Sequence, residues 1–429
     1  MIQEIKIKNF LSFRDEVVLN FEATKDTTFE DYQVFEVAPG VRLLRFALVY
    51  GANASGKSNL LIALEFLRSF WYQQQTDLDS QTRVIPFLLD TETPKQPSVF
   101  EIKFYVNDIK YWYILHLDNR RVYLEKLYYY KTVQPTLLLS RELVGNNSVI
   151  KFNPLAVKVS NAVVEEITLK CLPNISFFAA RNKVNCSLPF IDDAGLWMKN
   201  GFSPMIHPDT KMFDYAGEKM LNNPALKTYL LDFIQRADFN ITNVKTEHVH
   251  SPMPKFFIDA ILEDDSLSDD RKKDVLAKPI IEEVRTTFEH TVQNKRGVET
   301  YTLPNTRQSQ GTRRTFGIEA AIYETLKNER FLSVDEIESS LHPDLVEFVI
   351  EQFLKTKNRS QLLVTSHYDP LLNTIDDLFR KDSVWFTEKN NDGNCSLYSL
   401  VEFNGLNKIR SFQKSYRNGV FGALPNITN

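Results

Sequence analysis

Alternating apolar and polar residues predict several β-strands in the first third of the chain. One strand is expected at 2–7 and a second at 17–21. Between 97 and 152, apolar residues recur at every second position, and turn residues such as Asn107-Asp108 separate the runs. This pattern predicts an antiparallel meander.

A helical period replaces the alternation in the middle of the chain, and residues 155–240 are predicted to be mostly helical. The clearest helix has apolar residues at i, i+3, i+4, i+7 and i+8, namely Leu226, Tyr229, Leu230, Phe233 and Ile234. Residues 262–274 are dense in charge, which predicts a mobile surface loop, with a partner-binding segment as the alternative. A hairpin with Gly297 at its tip follows. No heptad pattern is sustained, so no long coiled coil is expected.

The stretch from Gly51 to Ser58 fits the phosphate-binding pattern G-x-x-x-x-G-K-[ST]. It lies between an apolar run of strand length at 43–50 and a helix-forming run at 59–67. Glycines let backbone N–H groups wrap a polyphosphate, Lys57 reaches the β- and γ-phosphates, and the Ser58 hydroxyl binds Mg²⁺. The sequence therefore predicts an ATP site formed by Gly51, Asn53, Ala54, Ser55, Gly56, Lys57, Ser58 and Asn59.

Composition adds few constraints to this prediction. The chain has 429 residues, a net charge of −4 and 43% hydrophobic residues, which is typical of a soluble globular protein. Its three cysteines form no C-x-x-C pair, so neither a zinc site nor a disulfide framework is predicted. No apolar run is long enough to span a bilayer, and no signal peptide is evident. We expect a cytoplasmic protein without a membrane partner.

Three later stretches add candidate chemistry. An apolar strand at 331–334 precedes Asp335 and Glu336, which suit Mg²⁺ binding and polarisation of an attacking water. A second apolar strand at 362–365 leads to His367. Upstream, a predicted helix begins with the small residues Ser309, Gly311 and Thr312, which suit the binding of an anionic ligand. A simple helix cap explains Ser309 equally well.

The order of these stretches resembles the ABC-type ATPase heads of the SMC and RecF group. The resemblance makes Ser309 to Thr312 the signature motif, Asp335-Glu336 the Walker B motif, Ser340 to His342 the D-loop, and His367 the switch histidine. It implies an α/β fold: an ABC-type P-loop ATPase head with an antiparallel β-meander lobe and an inserted helical subdomain. The expected segments are 1–152, 153–285 and 286–429.

A closer resemblance is to the RloA-like abortive-infection ATPases, which are related to the ATPase domain of OLD nucleases. It rests on residues 7–13, Gly51 to Leu60, Val334 to Pro343 and the tail Tyr416 to Pro425. Gln308 and Gln310 stand where this family usually has acidic residues around the signature serine.

The resemblance implies ATP and Mg²⁺ as cofactors, with Ser58 and Asp335 holding the metal. Glu336 and His367 are the implied catalytic residues. In such heads Ser309 completes the ATP site of a second subunit, so a homodimer or higher oligomer is expected. The 62 residues after His367 are expected to be too few for a nuclease domain, so the effector is expected on a separate polypeptide.

Three function classes follow from these observations. The first is an ATP-hydrolysing sensor or scaffold in anti-phage defence. The second is an SMC- or RecF-like ATPase in DNA repair, for which nucleic-acid binding is possible but unproven. The third is the nucleotide-binding subunit of a transporter, which the long insertion between Lys57 and Ser309 disfavours.

Overall fold

The computed structural model describes residues 1–75, 77–237, 240–264 and 267–425. These residues form two compact units. Unit 1 contains residues 1–208, 324–339 and 343–429, and unit 2 contains 209–323 and 340–342. The three segments predicted from the sequence stay a prediction, and the bounds of the two units are different.

The strands of the described chain are β1 (Ile2–Lys8), β2 (Val17–Asn20), β3 (Val34–Ala38), β4 (Val41–Leu44), β5 (Phe46–Gly51), β6 (Ser98–Val106), β7 (Ile109–Leu117), β8 (Val122–Tyr130), β9 (Thr136–Val144), β10 (Asn147–Phe152), β11 (Asn243–Pro252), β12 (Ile280–Asn294), β13 (Gly297–Pro304), β14 (Phe331–Val334), β15 (Gln361–Thr365), β16 (Val384–Lys389) and β17 (Cys395–Ser399).

The helices are α1 (Glu30–Gln33), α2 (Lys57–Phe70), α3 (Asn161–Lys170), α4 (Phe177–Arg181), α5 (Pro189–Asn200), α6 (Met212–Leu221), α7 (Pro224–Arg236), α8 (Lys255–Glu263), α9 (Asp269–Ala277), α10 (Gln310–Lys327), α11 (Pro343–Lys355) and α12 (Phe412–Arg417). The longest described helix, α10, has 18 residues. Within the described ranges, no helix combines the length and the apolar character needed to cross a membrane.

A five-stranded sheet in unit 1 has the order β14-β15-β5-β16-β17. The first four strands run parallel, and β17 pairs antiparallel with β16. All six residues of β5 are buried, as expected for a strand covered on both faces. Because the carboxyl ends of parallel strands share one edge, the segments after β5, β14 and β15 meet there.

A seven-stranded antiparallel sheet of order β10-β9-β8-β7-β6-β1-β2 forms the second layer of unit 1. Its strands β6 to β10 are the meander expected between 97 and 152. Asn107 and Asp108 both have positive φ, which matches the tight turn predicted between β6 and β7. The predicted fold class, α/β with an antiparallel meander, is confirmed.

The inner face of the meander holds a buried ion pair between Glu125 and Arg141, whose side chains are both 0% exposed. Arg141 Nη1 lies 3.0 Å from Glu125 Oε2. The carboxylate also accepts hydrogen bonds from the hydroxyls of Tyr113 and Ser176 and from the backbone N–H of Phe177. The pair is therefore fully hydrogen-bonded, which is the condition under which a buried charge is tolerated.

Unit 2 contains the three-stranded sheet β11-β12-β13 and the helices α6, α7, α8 and α9. Phe213, Phe288 and Phe316 pack against one another in its core. The helix predicted at 226–234 is present as α7, with Leu226, Leu230, Phe233 and Ile234 buried. The surface loop predicted at 262–274 is wrong at both ends, because residues 262 and 263 belong to α8 and residues 269–277 form α9. Ser268 precedes that helix in an extended conformation, and Asp269 and Asp270 occupy its first turn. Asp265 lies outside the described residues.

Glu319 on α10 is fully buried in unit 2, where the Tyr229 hydroxyl donates to its Oε2 atom at 2.8 Å. Burial raises the pKa of Glu319 to about 8, and the hydrogen bond from Tyr229 offsets only part of this rise. The folded protein therefore retains a proton at pH 7 that an unfolded chain would lose near pH 4.5.

This raised pKa predicts a pH-dependent stability. Glu319 contributes most to the free energy of unfolding below pH 4.5. This contribution falls by about 1.4 kcal/mol per pH unit as the pH rises from 4.5 toward 8. Glu319→Gln should remove that slope from the free energy of unfolding, measured with urea between pH 5 and pH 8. The exposed Glu218→Gln change is the control and should leave the slope unchanged. Equal slopes for wild type and Glu319→Gln would refute the assignment.

Candidate functional site: the phosphate loop and its acidic edge

The predicted phosphate loop connects β5 to α2. Gly56 has φ +100° and Ala54 has φ +59°, so the loop uses left-handed conformations, which favour glycine. A Cβ atom on Gly56 would lie 2.8 Å from Ser12 Oγ and 3.1 Å from Cys395 Cβ. Asn53 and Ala54 are exposed. The loop backbone is therefore closely packed on the side of Gly56, whereas Asn53 and Ala54 face solvent.

Lys57 begins α2, and its side chain folds back over the loop. Nζ donates to the carbonyl oxygens of Gly51, at 2.8 Å, and Ala52, at 3.0 Å. Burial lowers the pKa of Lys57 to about 8, although the nearby carboxylates act in the opposite direction. A phosphate placed at this amine would stabilise its charged form.

Side chains on both flanks hold the loop. Ser55 Oγ lies 2.7 Å from Thr387 Oγ1 on β16. Asn59 Nδ2 donates to Ser12 Oγ at 2.9 Å, which ties the first turn of α2 to the segment after β1. Ser58 is half-buried at the same end of the helix. Thr387 and Ser12 were not predicted, because their roles arise from contacts between distant parts of the chain.

Asp335 and Glu336 follow β14 at the carboxyl edge of the sheet. Thr365, the last residue of β15, donates its hydroxyl to Asp335 Oδ1 and accepts from the Glu336 backbone N–H at 2.8 Å. Glu336 has φ +46°, an unusual value for a residue other than glycine. A single threonine thus connects the two acidic residues and helps to hold Glu336 in a strained conformation, as often occurs at functional sites.

His367 lies between the lysine and the glutamate. Its Nδ1 atom is 3.4 Å from Lys57 Nζ, and its Nε2 atom is 3.5 Å from Glu336 Oε1. Burial, followed by the positive charge of Lys57, lowers the pKa of His367. The imidazole is therefore neutral at pH 7, because its ordinary pKa of 6.5 is already below that pH.

Glu338 is a further acidic residue of this edge, and it was not predicted from the sequence. Its Oε1 atom accepts the backbone N–H of His367. Its Oε2 atom is buried and has no hydrogen-bond partner among the described residues. The Asp335-Glu336-Ile337-Glu338 spacing was the available signal, since it places two glutamates two positions apart directly after a strand.

A cleft of about 570 Å³ opens beside the loop. Its lining includes Gly51, Asn53 and His367 together with Tyr416 and Pro425 of the C-terminal segment. Of the predicted catalytic residues, His367 lines this cleft, and Lys57 and Glu336 lie next to His367.

The three predicted signature residues lie in unit 2, at the start of α10. Ser309 Oγ accepts the backbone N–H of Thr312 at 3.0 Å and lies 2.7 Å from the Thr312 hydroxyl. A Cβ atom on Gly311 would lie 2.8 Å from the Ser340 carbonyl oxygen, so only glycine fits there. Ser309 is exposed and Thr312 is buried. The helix-capping geometry of Ser309 is therefore present, and a role toward nucleotide stays a prediction.

The residues of unit 1 fit a magnesium nucleotide in their chemistry. Gly51 and Gly56 let the loop backbone pack closely against the protein behind it. Its backbone N–H groups and the Lys57 amine are donors of the kind that bind a phosphate chain. The Ser58 hydroxyl and the Asp335 carboxylate are oxygen ligands of the kind that Mg²⁺ prefers.

The chain matches a known protein family in residues 46–156 and 193–373. This family is described as "AAA domain, putative AbiEii toxin, Type IV TA system". The chain belongs to this family. The matched segments of the AbiEii-type AAA family include the phosphate loop, the Asp335-Glu336 pair and His367. Membership of a P-loop ATPase family implies that the protein uses a nucleotide.

Solved structures with a related outline are SMC heads. The SMC head domain from Thermotoga maritima has 11% identity and a TM-score of 0.42, covering 93% of this chain and 98% of that chain. An Smc head domain with an extended coiled coil bound to the C-terminal domain of ScpA, derived from Pyrococcus furiosus, has 9% identity and a TM-score of 0.42, covering 94% and 97%. Similarity at this level does not support an argument about activity. No curated protein matches the chain.

Proposed function

We propose that this member of the AbiEii-type AAA family hydrolyses ATP to ADP and phosphate at the loop between β5 and α2. The main support is the row of contacts from Lys57 through His367 to Glu336, with separations of 3.4 Å and 3.5 Å. A phosphate-binding cation and a carboxylate thus lie on either side of a neutral imidazole that lines the cleft. Phosphoryl transfer to water uses a cation on the phosphates and a side chain that orients the attacking water, and these residues supply both.

Each residue has a distinct role in this proposal. Backbone N–H groups of Gly51 to Ser58 and the Lys57 amine bind the phosphate chain. Glu336 accepts a proton from the attacking water, and His367 helps to hold that water and the terminal phosphate in place. Ser58 and Asp335 hold Mg²⁺, which when bound neutralises charge on the phosphates.

A second part of the proposal concerns the signature residues. Ser309, Gly311 and Thr312 would complete the ATP site of another copy of the chain, giving a homodimer or higher oligomer with shared sites. The support is the exposed Ser309 hydroxyl at the start of a helix of 18 residues, whose N-terminal end attracts anions. ATP would favour the associated state and ADP would not, since only ATP offers the terminal phosphate.

The biological role that we propose is control of a separate effector in anti-phage defence of the abortive-infection type. The support is family membership, because the family description names a toxin and a toxin–antitoxin system. RloA-like ATPases resemble this chain in residues 7–13 and in the tail from Tyr416 to Pro425. This resemblance also supports a role in anti-phage defence. In this proposal the effector, a nuclease or a toxin, is a different polypeptide.

Loss of the Lys57 amine is the test of the nucleotide site. Lys57→Ala should weaken ATP binding about ten- to hundredfold, because a charge-assisted contact to phosphate is worth about 1.5–3 kcal/mol. Phosphate release should fall to background. Binding can be followed by calorimetry and turnover by phosphate detection, with the exposed Lys408→Ala as control. Wild-type turnover in Lys57→Ala would refute the proposed site.

A further inference from the structure

Unit 2 carries an arm made of β11 and β12. The two strands pair in register from Asn243 with Glu289 to Pro252 with Ile280, a length of about 30 Å. Val244 and Phe288 are buried at the inner end of this ribbon. The outer end leads into α8 and α9, which contact each other and are named the arm tip.

Exposed apolar side chains concentrate on this arm and on β13 beside it. Among the described residues, eight of the twenty large apolar side chains that are exposed lie between positions 256 and 303. They are Phe256, Phe257, Leu262, Val275, Ile280, Val298, Tyr301 and Leu303. Five of the eight lie on α8, on α9 or at the outer end of β12, whereas Val298, Tyr301 and Leu303 lie on β13, which pairs with the inner part of β12. Exposed apolar side chains grouped as they are at the arm tip mark a contact site.

Helix α8 is the centre of this surface. It has nine residues, six of them apolar, and none of the nine is buried. Phe256 is 64% exposed and Phe257 46% exposed, and their ring centroids are 4.2 Å apart. Helices shorter than about 12–15 residues are marginal in water unless one face packs against a partner. Helix α9 covers only part of α8, so the side with Phe256 and Phe257 lacks a packing partner within the described residues.

The charged residues of α8 indicate which partner packs against the side with Phe256 and Phe257. Lys255, Asp259 and Glu263 are spaced i, i+4, i+8 and therefore form one stripe beside Phe256. The stripe is positive at the helix start and negative at its end. When two copies of such a helix pack antiparallel about a two-fold axis, the start of each stripe meets the end of the other. The two-fold axis then generates two equivalent pairs, each between Lys255 of one copy and Glu263 of the partner subunit.

We propose that the arm tip binds the arm tip of a second copy of this chain, with α8 packed antiparallel on its symmetry mate. Phe256 and Phe257 form the buried centre, and the small Ala260 between them on the same side lets the helices approach closely. The two pairs of Lys255 with Glu263 of the partner subunit fix the antiparallel direction. Asp259 lies near its own symmetry mate, which opposes the contact.

The contact is weak by itself. Two phenylalanines and their neighbours offer on the order of 500 Å² per copy, below the roughly 800 Å² per partner of a standard interface. A second contact between the same two copies would strengthen it through effective concentration. The tip contact does not depend on the proposed ATP site, and it can be tested without nucleotide.

Charge reversal on α8 tests the proposal. Full-length Lys57→Ala protein without nucleotide serves as the background for sedimentation equilibrium over a concentration series. Lys255→Glu and Glu263→Lys should each weaken self-association about tenfold, since each replaces two attractive pairs by two repulsive ones. The double variant Lys255→Glu/Glu263→Lys should restore it, and Asp259→Asn should strengthen it several-fold.

Matched controls make the outcome decisive. Lys273→Glu on the exposed side of α9 changes the net charge equally and should have no effect. Phe256→Ser should abolish self-association while the far-UV circular dichroism stays unchanged. Failure of the double variant to restore association would overturn the proposal. Exchanging the two charges within one chain restores the opposite-charge pairs only if α8 packs antiparallel against α8 of another copy. Monomer at every concentration in the background protein would also overturn it.

Discussion

Glu336→Gln is expected to lower the rate of ATP hydrolysis by about two to four orders of magnitude while ATP binding is retained. The Glu336 carboxylate lies 3.5 Å from the His367 ring, and its backbone is held by Thr365 in a strained conformation. Glutamine preserves the size of the side chain but cannot accept a proton from water. ATP-bound protein should therefore accumulate.

Turnover and binding need to be measured on the same preparation. Phosphate release reports the first, and retention of labelled ATP reports the second. Glu142→Gln on the exposed surface of β9 removes the same charge outside the cleft and serves as the control. A Glu336→Gln protein with near-wild-type turnover would exclude Glu336 as the base.

Glu125→Ala is expected to cost about 3–5 kcal/mol of unfolding free energy. It removes the carboxylate that accepts from Arg141, Tyr113 and Ser176, and it leaves a fully buried guanidinium without its counter-charge. Urea unfolding followed by tryptophan fluorescence measures this loss. Replacing both members of the pair by methionine should cost less than the single change, because no charge is then buried.

The exposed pair of Glu92 and Lys95 provides the matched comparison. Its side chains are 70% and 68% exposed, and its N–O distance of 2.8 Å is as short as that of a strong ion pair. Glu92→Ala should cost no more than about 1 kcal/mol, because water and salt screen this pair. Similar losses for Glu125→Ala and Glu92→Ala would show that burial does not set the strength of the Glu125–Arg141 pair.

The parts of the fold that local pattern determines were predictable. The phosphate loop is specified by glycines at fixed spacing between an apolar run and a helix, and the structure has β5 and α2 there. The meander follows from alternation, and Asn107-Asp108 supplies the left-handed residues that its first turn requires. These features depend on neighbours within a few residues, which one sequence contains.

The remaining features depend on contacts between distant segments. Thr365 becomes important because parallel pairing of β14 with β15 brings it beside Asp335. Ser12 reaches Asn59 across 47 positions, and Glu338 is identified only by its contact with the His367 backbone. Helix α9 was missed because its charged residues resemble a loop in composition. A single sequence does not encode such pairings in a local pattern.

A mixing experiment tests most directly whether two copies share each ATP site. Lys57→Ala and Ser309→Arg proteins should each be inactive alone, because one lacks the phosphate-binding amine and the other blocks the opposing surface. Mixed in equal amounts, they can form pairs in which one site has both Lys57 and Ser309 intact. We expect ATP hydrolysis to reappear in the mixture. Turnover that stays at background in the mixture, or a Ser309→Arg protein that is fully active alone, would contradict the shared site.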